Sequence, residues 1–457
     1  MTDQDVTSSK PLREQWALYF FDKTPRSNGW QDNNSQSNRL NPVDRPFHDW
    51  YRFVLSYPPH LVRDYLQNFG LGPGSIVLDP FCGTGTTVVE AKRNGICGVG
   101  VEANPFAHFA SSVKVDWAVD PDSLMNRSLD IAEITLDTLR KQGIDDNVPP
   151  IGDLAGLKTL KPDLMKILIN GSISPLPLHK TLVLSDSLQL FASDRCYNHL
   201  KLALGNALVT QIGNLRFGPE VGIGKQKVDV PIIPAWLSEV HKQVADLKRV
   251  DRQSQPDTRI HLADSRAVAD LLSAHTIDAV ITSPPYPNEK DYTRTTRLES
   301  VLLGFIEDMA QLRGLKKTLV RSNTRGVYVQ DTDDRWVADH PEVQRISREI
   351  EDRRIELGKT SGFEKLYGRV TRLYFGGMAR HLFDLRHVLK PGAKLAYVVG
   401  DQASYLQVMI RTGQLLADIA QRMGYRVDRI DLFRTRFATA TQNELREEVL
   451  VLTWPGE

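Results

Sequence analysis

The chain has 457 residues, 41% hydrophobic and 25% charged, which gives room for one large catalytic core with insertions or for two to three ordinary domains. A formal net charge of +1 excludes a protein that coats a polyanion by bulk charge, so any nucleic-acid contact has to come from local basic patches. The start MTDQDVTSSK carries no secretion signal, no apolar run is long enough to span a bilayer, and Cys82, Cys97 and Cys196 are too scattered for a disulfide framework or a zinc cluster; the expectation is a cytoplasmic protein with reduced thiols, no metal and no membrane contact.

Residues 1–45 are polar and rich in Asn, Ser, Asp and Gln, and read as an irregular arm. The aromatic-rich stretch HDWYRFVLSYPPHLVRDYLQNFG breaks at Pro58-Pro59 and continues as a helix to Gly70. SIVLD (75–79) is a buried-type strand that runs into the turn PFCGTG and the helix TTVVEAKRNG, and ICGVGVE (96–102) is the next strand. Strand, turn, helix and strand with short connections form a βαβ unit, which predicts an α/β fold with a parallel sheet. Helical patterns then dominate, as in 197–212 and 235–250, until the strands RIHLADS (259–265) and IDAVITSPPY (277–286). A second charged stretch precedes a helix over 374–389, a turn at KPGA, the strand KLAYVVGD (394–401), a helix through Met423 and the strands DRIDLFRTRF and EEVLVLTW. The expected organisation is a core built from 46–120, 256–303 and 371–457, interrupted by a mainly helical insertion, 121–255, and a basic insertion, 304–370.

The turn DPFCGTG joins the carboxyl end of a strand to the start of a helix, where open α/β sheets bind ligands. Gly83 and Gly85 permit a tight turn and close backbone approach to a polar group, such as the amino-acid end of a cofactor. Glu102 closes the next strand 23 residues after Asp79, where a carboxylate can accept both hydroxyls of a ribose. Asp264 ends the third strand, with Ser265 behind it; its carboxylate either meets an adenine amino group of the same cofactor or caps a helix over RAVADLL. No G-x-x-x-x-G-K-[ST] loop for a triphosphate occurs.

ITSPPYP ends the strand before it. Consecutive prolines stop sheet pairing and fix the backbone, so that the Ser283 hydroxyl and the Pro284 carbonyl can be aimed outward together, ahead of Pro285. An exocyclic amine is a poor nucleophile because its lone pair is delocalised into the ring; two acceptors, one per amino hydrogen, hold the nitrogen closer to tetrahedral and direct that lone pair at a methyl sulfonium. Tyr286 offers a flat face for a flipped base. A proline-rich turn that merely closes a strand is the alternative.

Two basic segments stand out. Arg313, Lys316, Lys317, Arg321 and Arg325 form a run with no acidic residue among them, and Arg216, Lys225 and Lys227 lie among glycines in NLRFGPEVGIGKQK. Arg294 and Arg297 follow the proline motif. Each reads either as a set of phosphate contacts or as a solvated helix face or hairpin.

DPFCGTGTT resembles the cofactor-binding F-x-G-x-G motif of the bacterial amino-group DNA methyltransferases, and TSPPY resembles their catalytic [DNS]-P-P-[YFW] motif. HDWYRFVLSYPPHLV, GVEANP and LKPGAKLAYVVGD extend the resemblance to both ends of the core. It implies a Rossmann-like sheet that uses S-adenosylmethionine, held by Asp79, Phe81, Gly83, Thr84, Gly85, Glu102, Asp264 and Ser265, with double-stranded DNA as substrate and a cognate restriction endonuclease as a candidate partner. Family members with Ser at the first catalytic position more often methylate N4 of cytosine, and those with Asp or Asn more often N6 of adenine. The long insertion after Glu102 departs from many members and is expected to be wholly or partly a target-recognition region, with the basic insertion 304–370 the alternative place for base reading. Competing readings are an RNA guanine-N2 methyltransferase, which typically shows D-P-P-Y and an RNA-binding domain ahead of the core, and a non-catalytic nucleic-acid-binding subunit, which would have no need of Gly83, Gly85 and Ser283 to Tyr286 together.

Overall fold

The structure is a computed structural model that describes residues 40–53, 56–149, 156–217, 221–251, 255–288, 290–438 and 443–456. Most of the arm expected over 1–45 lies outside these residues; its last part forms a 3-10 turn, Pro42–Asp44. In chain order come α1 (Pro59–Asn68), β1 (Ile76–Asp79), α2 (Thr86–Arg93), β2 (Cys97–Glu102) and α3 (Pro105–Lys114). The first insertion supplies α4 (Pro121–Lys141), α5 (Pro162–Ile167), α6 (Pro175–Gln189), α7 (Tyr197–Ala207), a π-helical turn Leu208–Ile212, a hairpin of β3 (Leu215–Phe217) and β4 (Val221–Ile223), and α8 (Ile232–Leu247). Then follow β5 (Thr258–Leu262), β6 (Ile277–Thr282), α9 (Tyr292–Thr295), α10 (Arg297–Leu302), α11 (Met309–Thr318), α12 (Pro341–Glu356), α13 (Tyr367–Leu385), β7 (Leu389–Gly400), α14 (Thr412–Arg422), β8 (Arg426–Ala438) and β9 (Asn443–Thr453).

Seven strands form one sheet in the order β5-β2-β1-β6-β7-β9-β8, parallel from β5 to β7, with β9 antiparallel to both β7 and β8. This is a Rossmann-like, mainly parallel sheet. The central strands β1, β6 and β7 are largely apolar because both faces of the sheet are covered there. Val77, Ile281, Ala396, Val398, Val449 and Val451 pack with α1, whereas Leu78, Val280, Leu395, Tyr397, Leu450 and Leu452 pack with α13 and α14, the alternation that a pleated strand imposes. From β1 the chain moves outward through β2 to β5, then returns to β6 on the other side, so the order reverses between β1 and β6 and the crevice above their carboxyl ends is the expected ligand site.

The packing does not break at the expected start of the insertion. One apolar cluster runs from Phe47 and Trp50 through α3, the insertion helices and on into α10 and α11. Trp50 Nε1 and Phe47 N both donate to Asp246 of α8, at 2.8 and 3.0 Å, and Asp146 caps the start of α8 by accepting from Ile232 N and Ile233 N at 2.9 and 2.8 Å. Two expected elements differ. RAVADLL is not a helix but one 3-10 turn, Val268–Asp270, and KPGA lies inside β7, where the register against β6 jumps from Ile277 with Leu389 to Ala279 with Lys394.

Candidate active site

The turn after β1 has the geometry its glycines allow, with φ of +53° at Gly83 and +87° at Gly85, a region costly for any residue with a Cβ. The two serve different ends. A Cβ at Gly85 would lie 3.0 Å from Ser111 Cβ on α3, so this glycine lets helix and turn pack, whereas one at Gly83 would meet nothing nearer than the Tyr292 hydroxyl at 3.8 Å. Glu102 accepts from Gly83 N at 2.8 Å and from Asn104 N at 2.7 Å, which brings the carboxylate at the end of β2 against the turn. Burial pushes its pKa up to about 7, against the pull of those backbone donors.

Asp79, expected at the cofactor site, braces the turn from within. Its carboxylate is fully buried and accepts from Thr282 Oγ1 at 2.5 Å, Phe81 N at 3.1 Å and the Tyr57 hydroxyl at 3.2 Å, and burial raises its pKa to about 6. It thereby ties the glycine turn to the residue just before Ser283. Thr87 adds a second tie by donating to the Ile281 carbonyl at 2.9 Å. Thr84 is buried and offers its backbone: its carbonyl accepts from Lys114 Nζ at 2.7 Å, and the same ammonium donates to the Tyr51 carbonyl at 3.2 Å. Burial pushes Lys114 down to about 7.

At the end of β6 the Ser283 hydroxyl donates to the Val398 carbonyl of β7 at 3.2 Å. Its only hydrogen is therefore committed, and its lone pairs are left to accept. Pro284 is buried, and Pro285 and Tyr286 are half-buried. The Tyr286 ring lies against Gly400 at the end of β7, where a Cβ would stand 3.0 Å from ring carbon Cε2. A side chain at position 400 would therefore press on the Tyr286 ring.

Asp264 accepts from Arg266 N at 2.9 Å and is paired with the Arg266 guanidinium at 2.6 Å, so the expected helix cap is a local turn plus an ion pair. Ser265 is buried, and its carbonyl accepts from His381 Nδ1 at 2.7 Å; His381 Nε2 lies 2.7 Å from the Tyr397 hydroxyl, and the ring stands edge-on to Phe81 with centroids 4.9 Å apart. Because a carbonyl only accepts, the proton sits on Nδ1. Burial holds this histidine down to about 4 and hence neutral.

The basic candidates divide. Arg216, Lys225, Arg313, Lys317 and Arg325 are exposed and have no acidic partner among the described residues, and Arg294 is half-buried with no bonded partner at Nε. The others are used by the fold. Lys227 donates to the carbonyls of Gln211 and Gly213 at 2.6 and 2.8 Å, closing the π-helical turn. Arg297 donates to the Thr293 carbonyl at 3.0 Å and that of Ile167 at 3.3 Å. Lys316 pairs with Asp291 at 2.9 Å, and Arg321, 5% exposed, pairs with Asp331 at 2.8 Å. Each of these four, expected as a phosphate contact, is bonded within the chain in this structure.

Sequence reasoning missed Tyr57, Lys114, Arg266, Tyr292 and Gly400. The NPFAHFASSVK helix gives Lys114 no distinguishing pattern, since its partners lie at Tyr51 and Thr84. Two glycines on one strand, Gly98 and Gly100, were the available sign that the cofactor turn presses on β2: a Cβ at Gly100 would come within 2.7 Å of Cys82 Sγ.

Residues 4–111 match a family model described as DNA methylase. The type II methyltransferase M.BsoBI of Geobacillus stearothermophilus is 25% identical over 428 residues, covering 87% of this chain and 82% of that protein. M.AvaI of a Nostoc species is 30% identical over 167 residues, 36% of this chain and 34% of that protein. A solved structure, TrmN from Thermus thermophilus, aligns at 10% identity with a TM-score of 0.32, covering 91% of this chain and 54% of that one, too low a score to carry an argument. The chain is thus similar to a DNA methylase family over residues 4–111 and to a type II DNA methyltransferase over most of its length. It is an enzyme of DNA methylation, related to the methyltransferases of type II restriction-modification systems.

Proposed function

We propose that the enzyme transfers a methyl group from S-adenosylmethionine to N4 of a cytosine flipped out of duplex DNA at a specific site. The observation that carries this reading is the Ser283 hydroxyl, whose hydrogen is given to Val398 so that it can only accept, at the strand end beside the glycine turn. The residues fit the cofactor. The Cβ direction of Gly83 is open, Glu102 stands at the ribose position against the same turn, and Asp264 stands two residues past the end of β5, the neighbour of β2. When bound, S-adenosylmethionine supplies an electrophilic methyl group on a sulfonium. Ser283 Oγ and the Pro284 carbonyl each take one amino hydrogen of the target base and raise the nucleophilicity of its nitrogen, while Tyr286, seated on Gly400, stacks on the ring.

Arg216, Lys225, Arg294, Arg313, Lys317 and Arg325 are the phosphate contacts of this reading. The type II relatives support pairing with a restriction endonuclease. Incubation with tritiated S-adenosylmethionine and either unmethylated duplex DNA or tRNA tests the assignment. Label is expected in DNA alone; label in tRNA would favour the RNA guanine-N2 alternative, and label in neither would favour a binding subunit.

A further inference from the structure

Asp264 is held by Arg266, whose side chain is 7% exposed. Arg266 Nε donates to the two Asp264 oxygens at 2.9 and 3.1 Å, and Nη2 donates to Oδ2 at 2.6 Å. The same guanidinium reaches the second insertion: Nη1 pairs with Asp333, and Nη2 also donates to the carbonyls of Lys317 and Thr318 at 3.3 and 3.4 Å. Those carbonyls close α11, the helix whose exposed residues include Arg313 and Lys317. Asp333 is seated in a notch of α13. A Cβ at Gly376 would fall inside the Asp333 carbonyl, and one at Gly377 would come within 3.4 Å of Asp333 Oδ2. α11 is also tied to the loop that follows the catalytic motif, because Lys316 pairs with Asp291, which in turn accepts from Thr293 N at 3.0 Å to cap α9.

We propose that Arg266 is a positioning residue that couples the two substrates: through it, engagement of DNA by α11 and binding of cofactor at Asp264 strengthen each other. A guanidinium is a rigid planar fork, and this one divides its donors between the carboxylate on one side and α11 and Asp333 on the other. Being buried, it cannot exchange a missing partner for water, so a shift of α11 changes the orientation of Asp264 instead of being absorbed by solvent. Linkage makes the effect mutual. The inference rests on the reading of Asp264 as a cofactor contact and of α11 as a DNA-facing helix.

The test is calorimetric titration of the full chain with S-adenosylhomocysteine, which cannot be turned over, alone and after saturation with sheared duplex DNA from a host that lacks methylation. The wild type is expected to bind S-adenosylhomocysteine at least about fivefold more tightly with DNA present. In Arg266→Gln and Asp333→Asn the ratio should fall to within about twofold of one while each ligand still binds by itself, and Arg266→Lys, which keeps the charge but not the fork, should behave the same way. If Arg266→Gln fails to fold by circular dichroism, the other two variants read the same ratio. A wild-type ratio of one, or variants that weaken binding with the ratio unchanged, would overturn the coupling. No S-adenosylhomocysteine binding by the wild type would overturn the proposed function itself, an outcome distinct from a ratio of one.

Discussion

The proposed ribose contact of Glu102 predicts cofactor binding that is sensitive to pH in the physiological range. Burial lifts Glu102 to about 7, so near neutrality it is divided between acid and carboxylate, and ribose hydroxyls donate to the carboxylate. Cofactor affinity is therefore expected to rise between pH 6 and 8, and Glu102→Gln should flatten that dependence in calorimetric titrations. The stability effect has the opposite direction. A carboxyl whose folded pKa lies above its ordinary 4.5 contributes stability that is complete below that value and lost as pH rises through about 7. Thermal melts of ligand-free Glu102→Gln should accordingly gain more over wild type at pH 8 than at pH 5. The two glycines of the turn separate by the same kind of measurement. Both substitutions strain a left-handed backbone, but Gly85→Ala also meets Ser111 at 3.0 Å and should lower the melting temperature more, whereas Gly83→Ala makes only ordinary contact with the Tyr292 hydroxyl at 3.8 Å and should weaken S-adenosylhomocysteine binding more than it lowers stability. At Ser283, removal of one orienting acceptor is expected to cost about 2–4 kcal/mol in the transition state, some 30- to 1000-fold in rate. Single-turnover methylation by Ser283→Ala should show this while its affinity for S-adenosylhomocysteine is unchanged. The positions of Ser283 to Tyr286 and of Glu102 at strand ends were legible in the sequence because each sits in a short motif. Lys114 and Arg266 were not, because what they do depends on carbonyls and carboxylates 30 to 67 positions away.

At the scale of elements, α11 shows what a charge run conceals. Its sequence suggested five equivalent cations together with the residues that follow it, yet the helix must bury Leu312 and Leu315, and this turns Lys316 toward Asp291. Beyond the helix, Arg321 turns inward to Asp331. Substituting Arg313, Lys317 and Arg325 by Ala is expected to reduce the log–log dependence of DNA affinity on salt by about three units, roughly one for each phosphate no longer neutralised, with the melting temperature unchanged. Arg321→Ala should act conversely. It strands the Asp331 carboxylate, 11% exposed, and should destabilise the fold by about 3–5 kcal/mol. An unaltered salt slope in the triple variant would make these residues solvated surface. The strands were read more reliably than the helices that flank them. β1, β2 and β6 are short, largely apolar runs with turn residues at their ends, whereas RAVADLL, helical by pattern, is held in a short turn because Arg266 folds back on Asp264.

For the whole molecule, the α/β class with a parallel sheet was legible from the βαβ unit around the glycine turn, whereas the strand order, which reverses between β1 and β6, emerged only from the structure. The relation of the insertion to the core was not legible either. Its helices share one apolar cluster with Trp50, α3 and α10, formed by residues far apart in sequence, so periodicity gave the helices but not the surface against which each one packs. A chain lacking 121–255 would expose that cluster and is expected to be insoluble rather than merely non-specific. The central claim, methylation of a cytosine amine held by Ser283 and the Pro284 carbonyl, is tested most directly by mass spectrometry of nucleosides from duplex DNA methylated by the purified enzyme. N4-methylcytosine, absent from DNA treated with Ser283→Ala, is the expected product. N6-methyladenine would overturn the choice of base, and 5-methylcytosine would contradict the mechanism, because that reaction attacks a ring carbon through a cysteine and no Pro-Cys pair occurs in this sequence.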